Sequence, residues 1–256
     1  MATILVTGAT GTLGTPTVAR LRAADQDVRA LNRRRGPGLV TGDLLSGAGI
    51  PEAVSGVHTV LHLATGRGRK DVVAARTLLD AARDARVAHF VFVSIVGVEN
   101  IPLGYYRDKV TAERLVTAST LPYTILRATQ FHSLVDELFG AQRLSPVLFA
   151  PSVTLQPIAV EEVADRLTEL TGSGPAGRVP DIGGPEPRAV RELARAWARA
   201  RGSRRGVLPL KLPGRTFAGY AAGHALVPGP PYGQVTFEEY LARRYATGSA
   251  RQTREP

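Results

Sequence analysis

Apolar runs alternate with amphipathic stretches through the first half of the chain. Short continuous apolar runs, such as residues 4–6 and 89–94, are typical of strands that a parallel sheet buries on both faces. On this basis strands are predicted at residues 4–6, 27–31, 58–63, 89–94 and 122–126, and helices at 15–24, 70–85 and 105–118. Strands that alternate with helices at this spacing predict a doubly wound parallel sheet with right-handed crossovers, which is an α/β Rossmann fold.

After Arg127 the pattern becomes irregular, and short strands, helices and loops rich in proline and glycine follow one another. We therefore predict a dinucleotide-binding Rossmann core over residues 1–127. A small C-terminal substrate-capping lobe, interleaved with the core, is predicted over residues 128–245. Residues 246–256 are polar and show no apolar period, which predicts a disordered tail.

Composition narrows the class of protein. Of the 256 residues, 44% are hydrophobic and 21% are charged, as in a globular protein with a sizeable core. The absence of cysteine excludes disulfides, thiolate catalysis and cysteine-ligated metals. No apolar run approaches the ~18 residues of a membrane span, and no basic segment with an apolar run precedes the first strand. We expect a cytoplasmic protein without a membrane partner.

The net charge of +10 suggests a nucleic-acid partner at first sight. The arginines, however, are scattered singly along helix faces, as at Arg76, Arg83 and Arg195, rather than gathered with aromatic residues on one element. We therefore expect a small-molecule substrate and no nucleic acid. Asp136 and Glu137 have no histidine pair at ligand spacing beside them, so no metal site is predicted. The oligomeric state does not follow from the sequence.

Residues 3–14, TILVTGATGTLG, form the most informative segment, because three glycines follow a strand and open a helix. The first glycine allows a tight turn, the second lets the backbone approach a pyrophosphate, and the third permits close packing of helix on strand. The helix N-terminus adds free N–H donors and a partial positive charge. The alternative is a glycine turn without a ligand. The residues assigned to cofactor binding here are Gly8, Thr10, Gly11, Thr12, Leu13 and Gly14.

The end of the second predicted strand points to the type of dinucleotide. Asn32, Arg33 and Arg34 stand where this fold meets the adenosine ribose, and no acidic residue occurs between Val28 and Gly42. A carboxylate there would bind the 2′-hydroxyl of NAD, whereas guanidinium groups suit the 2′-phosphate of NADP. The predicted cofactor is therefore NADP, with NADPH preferred over NADH. A solvated basic loop is the alternative.

Two further segments are assigned to the cofactor by position. Asp43 and Leu44 lie where the adenine ring would be held, and the carboxylate can accept its amino hydrogens; a turn cap explains Asp43 equally well. Ala64 and Thr65 follow the strand of residues 58–63, and such small residues allow the backbone to pass close to the cofactor.

Ser94, Tyr105 and Lys109 form a candidate catalytic trio. Ser94 ends a predicted strand, and Tyr105 and Lys109 lie one turn apart on the next helix. A phenol with a pKa of about 10 is a poor catalyst at neutral pH unless a cation stabilises its anion. Lys109 can supply that cation and bind the nicotinamide ribose, while the Ser94 hydroxyl orients a substrate carbonyl. In the alternative interpretation the tyrosine packs and the lysine is a surface residue.

Together these motifs resemble the atypical short-chain dehydrogenase/reductases of the NmrA-like branch, over nearly the whole chain to about Leu241. The further residues that carry the likeness are Gly42, Glu113, the segment Tyr123-Thr124-Ile125-Leu126-Arg127 and the segment Gly183-Gly184-Pro185-Glu186. The resemblance implies an NADP-dependent reductase of quinones, carbonyls or related double bonds. Some members of this branch bind the dinucleotide without catalysis and act as redox sensors. This chain keeps the trio, but it has Arg127-Ala128 where the family usually has Arg-Pro.

Phe131 and His132 are assigned to the substrate, because with Gln130 they follow the late strand that ends near the nicotinamide. Phe131 can stack on an aromatic ring. His132 can act as a second proton donor, although a structural role is commoner for a lone histidine in a loop. The predicted function is hydride transfer from NADPH to a small carbonyl or quinone. The alternatives are a redox-sensing binding module, or an isomerase or dehydratase that holds its cofactor tightly.

Overall fold

A computed structural model describes residues 2–66 and 69–252. Its strands are β1 (Thr3–Thr7), β2 (Asp27–Asn32), β3 (Leu39–Thr41), β4 (Thr59–His62), β5 (His89–Ile95), β6 (Tyr123–Ala128), β7 (Leu148–Pro151), β8 (Thr154–Leu155), β9 (Gly177–Arg178), β10 (Arg188–Ala189) and β11 (Val207–Leu210). Its helices are α1 (Gly14–Ala23), α2 (Ile50–Val54), α3 (Lys70–Asp84), α4 (Gly104–Ala118), α5 (His132–Gly140), α6 (Val160–Ser173), α7 (Val190–Ala200), α8 (Arg215–Ala221) and α9 (Phe237–Gln252).

A seven-stranded sheet with the order β3-β2-β1-β4-β5-β6-β9 organises the first part of the structure. β1 pairs in parallel with β2 on one side and with β4 on the other, so the strand order reverses at β1. Ligands of such sheets bind beyond the carboxyl ends of the strands at this reversal. The predicted doubly wound Rossmann fold is confirmed.

The core of this sheet is built from the apolar positions that the pattern predicts to be buried. Leu5, Val60 and Phe90 from three strands pack with Ile50 of α2 and Leu78 of α3, all fully shielded from solvent. Removing so much apolar surface from water is the main favourable term in folding. The packing fixes the strand ends from which the candidate site is built.

The chain divides into two compact units. The first contains the residues up to Arg127 together with Val160–Asp181, and the second contains Ala128–Ala159 with the residues from Ile182 onward. The sequence groups residues 160–181 with the capping lobe, but the structure places them with the sheet. The physical reason is pairing: β9 lies beside β6 in parallel, and α6 packs against α1, where Arg20 and Asp165 form an ion pair.

The second unit has its own small core. β7 pairs with β11 and β8 with β10, and Phe139, Leu193 and Trp197 pack between the helices of this unit. The buried carboxylate of Asp136 accepts hydrogen bonds from Trp197 Nε1 at 2.7 Å and from Arg244 Nε at 3.0 Å. These bonds tie α5 to α7 and α9.

The end of the chain differs from the sequence-based expectation. A disordered tail is predicted from residue 246, whereas α9 continues to Gln252, and residues 253–256 lie outside the described residues. Helical hydrogen bonds are local, so a polar segment without an apolar period can continue a helix that begins at Phe237. In the part of the chain that the structure describes, no helix combines the length and the hydropathy that a membrane span requires.

Candidate active site

The glycine turn after β1 leaves a bare backbone cradle at the start of α1. Gly8 has a φ of +65°, and a Cβ there would lie 2.7 Å from the Ala64 backbone nitrogen. A Cβ on Gly14 would overlap the Gly8 carbonyl oxygen, which itself accepts a hydrogen bond from Gly11 N at 2.9 Å. Side chains are therefore excluded where a pyrophosphate needs backbone N–H groups, and the turn fits a dinucleotide.

The loop after β4 is fastened to β1 by Thr7. The Thr7 hydroxyl oxygen accepts hydrogen bonds from the backbone N–H groups of Leu63 and Ala64, both at 3.2 Å. Its own proton is then donated to His62 Nδ1 at 2.7 Å. Burial, with the charge of Lys109 in addition, lowers the pKa of His62 to about 3, so the ring is neutral. Ala64 thus borders the glycine turn.

Asn32 joins the end of β2 to the glycine turn. Asn32 Nδ2 donates to Thr10 Oγ1 at 2.8 Å, and Asn32 Oδ1 accepts from Arg34 N at 2.9 Å. The side chains of Arg33, Arg34 and Arg35 are exposed, and none of them makes an ion pair with a residue that the structure describes. Their guanidinium groups are accessible to a phosphate.

Asp43 and Leu44 show structural roles. Asp43 Oδ1 accepts a hydrogen bond from Leu45 N at 2.9 Å, which is the turn cap that the sequence allows as an alternative. The side chain of Leu44 is part of the buried core. An adenine contact of Asp43 or Leu44 stays a prediction.

Ser94, Tyr105 and Lys109 all belong to the sheet unit, at the carboxyl end of β5 and on the first turns of α4. Ser94 is 3% exposed, and its Oγ has no hydrogen-bond partner among the described residues. Tyr105 is 37% exposed, and the side chain of Thr65 acts to lower its pKa through a hydrogen bond. Lys109 is buried, with Nζ 5.9 Å from the centroid of the Tyr105 ring. The surface-lysine alternative is therefore wrong.

An acidic residue that the sequence analysis does not single out completes this group. Asp71 Oδ2 lies 3.5 Å from Lys109 Nζ, and Asp71 Oδ1 accepts a hydrogen bond from Gly66 N. Asp71 shares the buried stripe of α3 with Ala74, Ala75 and Leu78. A carboxylate within an apolar stripe at helical spacing is a signal that could have marked it, because a buried charge requires a partner.

The pKa of Tyr105 moves in the direction opposite to the one expected from the sequence. Burial raises it most, and the negative charge of Asp71 raises it further. The Lys109 ammonium, which the sequence assigns to the tyrosine anion, is instead paired with Asp71 and donates to the Val93 carbonyl at 3.4 Å. Burial lowers the pKa of Lys109, and the Asp71 charge opposes that effect. The phenol is thus held in its protonated form.

A buried ion pair fixes α4 relative to β6. The Arg127 guanidinium donates to both carboxylate oxygens of Glu113, at 2.8 and 2.5 Å, and to Glu99. Such a bidentate arrangement is strong and directional. Because Glu113 follows Lys109 by one turn of α4, the pair holds the helix that carries Tyr105 and Lys109.

Phe131 and His132 belong to the second unit. His132 starts α5 instead of lying in a loop, and its buried ring stacks on Tyr240 with centroids 5.4 Å apart. Its Nε2 donates to the Val235 carbonyl at 2.9 Å, which favours the structural interpretation. The neighbouring Gln130 is 7% exposed, and neither side-chain amide atom has a hydrogen-bond partner among the described residues. Substrate contacts of Phe131 and His132 stay predictions.

Comparison with known proteins agrees with this geometry. Residues 8–170 match the model of a family described as NAD(P)H-binding. One relative is a Streptomyces griseus protein named (4-alkanoyl-5-oxo-2,5-dihydrofuran-3-yl)methyl phosphate reductase. It is 31% identical to this chain over 214 residues, which cover 78% of this chain and 74% of that protein. The photosystem II assembly factor Ycf39 of Trieres chinensis is 33% identical over 156 residues, 54% of this chain and 48% of the factor. The chain thus spans about half the length of that relative.

Solved structures share the fold. The NADPH-dependent quinone oxidoreductase QOR2 of Escherichia coli, in complex with NADPH, superposes with a TM-score of 0.80 at 19% identity, over 94% of this chain and 99% of that one. A nucleoside-diphosphate-sugar epimerase of Staphylococcus aureus gives a TM-score of 0.76 at 20% identity, over 94% and 99%. From its glycine turn, its strand order and the family match, the chain belongs to the NAD(P)H-binding family.

Proposed function

We propose that this protein is an oxidoreductase that transfers hydride from NADPH to a small carbonyl or quinone-type substrate, with Tyr105 as the proton donor. The observation that carries the proposal is the buried Ser94 hydroxyl, which has no partner among the described residues. Buried polar groups are nearly always hydrogen-bonded, so an unpaired hydroxyl at the carboxyl end of a central strand marks a place for a ligand.

The cofactor preference rests on Arg33 and Arg34. Their exposed guanidinium groups follow β2 without competing ion pairs among the described residues, and a 2′-phosphate is the group of NADP that they would bind. The cradle of Gly8, Gly11 and Gly14 would hold the pyrophosphate. When bound, NADPH supplies the hydride.

The side chains of the trio supply binding and proton transfer. The Ser94 hydroxyl donates a hydrogen bond to the carbonyl oxygen of the substrate. As hydride adds to the carbonyl carbon, Tyr105 transfers its proton to that oxygen, which becomes the hydroxyl of the product. The phenolate left behind takes a proton from water, because Tyr105 is 37% exposed. Lys109 would hydrogen-bond the nicotinamide ribose.

Relatives support the reductase class. Besides the Streptomyces griseus reductase, a chloroplastic divinyl chlorophyllide a 8-vinyl-reductase of Oryza sativa is 30% identical over 220 residues, which cover 72% of this chain and 54% of that enzyme. The substrates in these names are those of the relatives. Whether this chain reduces a carbonyl, a quinone or another double bond is what the substrate panel tests.

Replacement of Tyr105 by phenylalanine tests the proposal, because it removes the proton donor and keeps the ring. NADPH consumption is followed across a panel of aldehydes, ketones and quinones for the wild type, Tyr105→Phe and Tyr123→Phe. We expect carbonyl reduction to fall about 10²-fold or more in Tyr105→Phe, the usual contribution of a placed general acid. Quinone reduction falls less, because water can protonate the stabilised anion. Tyr123 lies at the amino end of β6, whereas the candidate site lies at the carboxyl ends of the strands, so Tyr123→Phe is the matched control.

A second candidate is a binding module that responds to NADP without catalysis. It is favoured by the two relatives that are named assembly factors, Ycf39 of Trieres chinensis and of Cyanophora paradoxa. If the wild type binds NADP but consumes NADPH with no compound of the panel, the redox-sensing module becomes the preferred function.

Unchanged carbonyl reduction in the Tyr105→Phe variant would show that this tyrosine is a packing residue and not the proton donor.

A further inference from the structure

Four large apolar side chains are exposed on neighbouring elements of the second unit. Leu138 lies on α5 and Leu144 in the loop after it, while Phe149 belongs to β7 and Leu208 to β11. Their exposed fractions are 43%, 90%, 39% and 46%, in that order. A single exposed leucine requires no explanation, but several neighbouring ones mark a contact surface. We call these four residues the apolar patch.

Strand pairing and hydrogen bonds hold the apolar patch together. The register of β7 and β11 places Phe149 beside Leu208, on the face opposite to the buried Leu148. The side chain of Gln142 joins α5 to β7, because its Nε2 donates to the Leu138 carbonyl at 3.3 Å and its Oε1 accepts from Phe149 N at 2.8 Å. The helix, the loop and both strands thus contribute to one surface.

Positive charges border the apolar patch. Arg143 follows Gln142 in the loop, and its side chain is exposed. Arg205 donates to the Gln142 carbonyl at 2.8 Å, which brings the neighbouring, exposed Arg204 to the same loop. Lys211 directly follows β11 and is exposed as well. None of these three exposed cations makes an ion pair with a residue that the structure describes.

Negative charge is scarce around the patch. Between Glu192 and Glu238 the sequence has seven arginines and lysines and no acidic residue. On α5, Glu137 is exposed and lowers the local positive charge by one, whereas Asp136 is buried and already forms an ion pair. The surface therefore combines exposed leucines with an excess of positive charge.

This combination fits the surface of an anionic lipid bilayer. Leucine and phenylalanine side chains enter the boundary between headgroups and acyl chains, while arginine and lysine attract the lipid phosphates. A second copy of the chain fits less well, because a symmetric dimer would bring the same cations of two chains together. A nucleic acid would favour aromatic rings on which its bases stack, and three of the four patch residues are leucines.

We propose that the apolar patch and the cations beside it form a docking surface for a membrane leaflet that contains anionic phospholipids. The contact is peripheral, since the patch side chains reach only the boundary of the headgroups. The expectation of no membrane partner rests on the absence of an apolar run that could span a bilayer, and a surface contact requires no such run. The inference does not depend on the proposed function.

The test measures binding of the full chain to vesicles of equal parts phosphatidylglycerol and phosphatidylcholine, by flotation in a density gradient. We expect binding at low ionic strength, weaker binding at high ionic strength, and none to vesicles of phosphatidylcholine alone. In the double variant with Leu144→Ser and Leu208→Ser, we expect the partition coefficient to fall about tenfold or more. A similar fall is expected in the double variant with Arg204→Gln and Lys211→Gln.

Matched controls come from exposed residues of the sheet unit. The double variant with Leu45→Ser and Val73→Ser removes two exposed apolar side chains, and the one with Arg22→Gln and Arg76→Gln removes two exposed cations. We expect both controls to bind the anionic vesicles within about twofold of the wild type, because their side chains lie outside the docking surface. Thermal midpoints in circular dichroism show that each variant is folded.

Three outcomes would overturn the inference. The first is that the wild type does not bind anionic vesicles at low ionic strength, which needs no variant. The second is an equal loss of binding in the control variants and the patch variants, because net charge alone would then explain the binding. The third is a dimer in light scattering that the leucine variants dissociate while vesicles leave the wild type unbound, which would make the patch an interface between two copies.

Discussion

Individual buried polar side chains decide the proton chemistry of this protein. The clearest case is Thr7, whose oxygen accepts two backbone N–H groups and whose proton must therefore go to His62 Nδ1. The histidine is held as a neutral acceptor, although it stands next to a lysine. The two backbone donors on Thr7 thus fix which nitrogen of the His62 ring lacks a proton. At the other end of the sheet, Thr124 Oγ1 accepts from Ala176 N and shares a hydrogen bond with His89 Nε2 at 2.8 Å.

We predict that the preference for NADPH over NADH depends on Arg33 and Arg34. Two charge-assisted contacts to a 2′-phosphate should together exceed ~1.4 kcal/mol, so NADPH should bind at least tenfold more tightly than NADH. In the double variant with Arg33→Ala and Arg34→Ala, we expect this preference to vanish while the affinity for NADH stays unchanged. Titration calorimetry with both cofactors measures it, and Arg22→Ala, an exposed arginine at the end of α1, is the control. Equal affinities in the wild type would remove the proposed role of both arginines.

At the scale of elements, the site is made by turns that join strand ends to helix starts. The glycine turn joins β1 to α1, and the Asp71 carboxylate joins the β4 loop to α4. The Arg127–Glu113 pair fixes α4 on β6. The Asp71 connection joins elements that are distant in sequence, so the surroundings of Lys109 depend on a neighbour that no local pattern contains.

The Gly14→Ala variant tests whether the glycine turn binds the cofactor. The added Cβ would overlap the Gly8 carbonyl oxygen, so the turn must shift to accommodate it. We expect NADPH binding to fall below detection in calorimetry and the thermal midpoint to drop in circular dichroism. Gly172→Ala is the matched control, because Gly172 lies in α6 with nothing near its Cβ position. There alanine should stabilise the helix by roughly 0.5–1 kcal/mol. Full NADPH affinity in Gly14→Ala would refute the cradle.

At the scale of the whole molecule, buried histidines link stability to pH. Burial lowers the pKa of His62 to about 3, and burial with the charge of His58 lowers that of His89 to about 4. In the unfolded chain both return to about 6.5. Between pH 6.5 and 4 the unfolded state thus binds more protons than the folded state, so stability falls as the pH falls through this window.

The measurement is the free energy of unfolding by urea at pH 7 and pH 5. Each buried histidine should cost up to about 2 kcal/mol of stability over that interval, at about 1.4 kcal/mol per pH unit below 6.5. His89→Gln should reduce the loss between the two pH values, whereas His224→Gln, at an exposed site, should leave it as in the wild type. An identical loss in His89→Gln and the wild type would show that His89 is protonated in the folded protein.

The sequence alone determined the glycine turn and the strands and helices whose apolar residues recur at a regular spacing. The predicted strands and helices of the first half agree with the observed ones to within a few residues, because backbone turns and apolar spacing are local properties. The turn could be assigned for the same reason: Gly8, Gly11 and Gly14 are needed by the backbone that contains them.

Only the tertiary structure decided which partners the polar groups find. Asp71 and Lys109 are 38 positions apart, and nothing in either segment indicates that they pair. Residues 160–181 join the sheet through β9, although the pattern around them is that of the lobe. Burial and charge pairing depend on which elements pack together, and the pKa of Tyr105 follows from both. The sequence could thus name the tyrosine, while its protonation depends on contacts that exist only after folding.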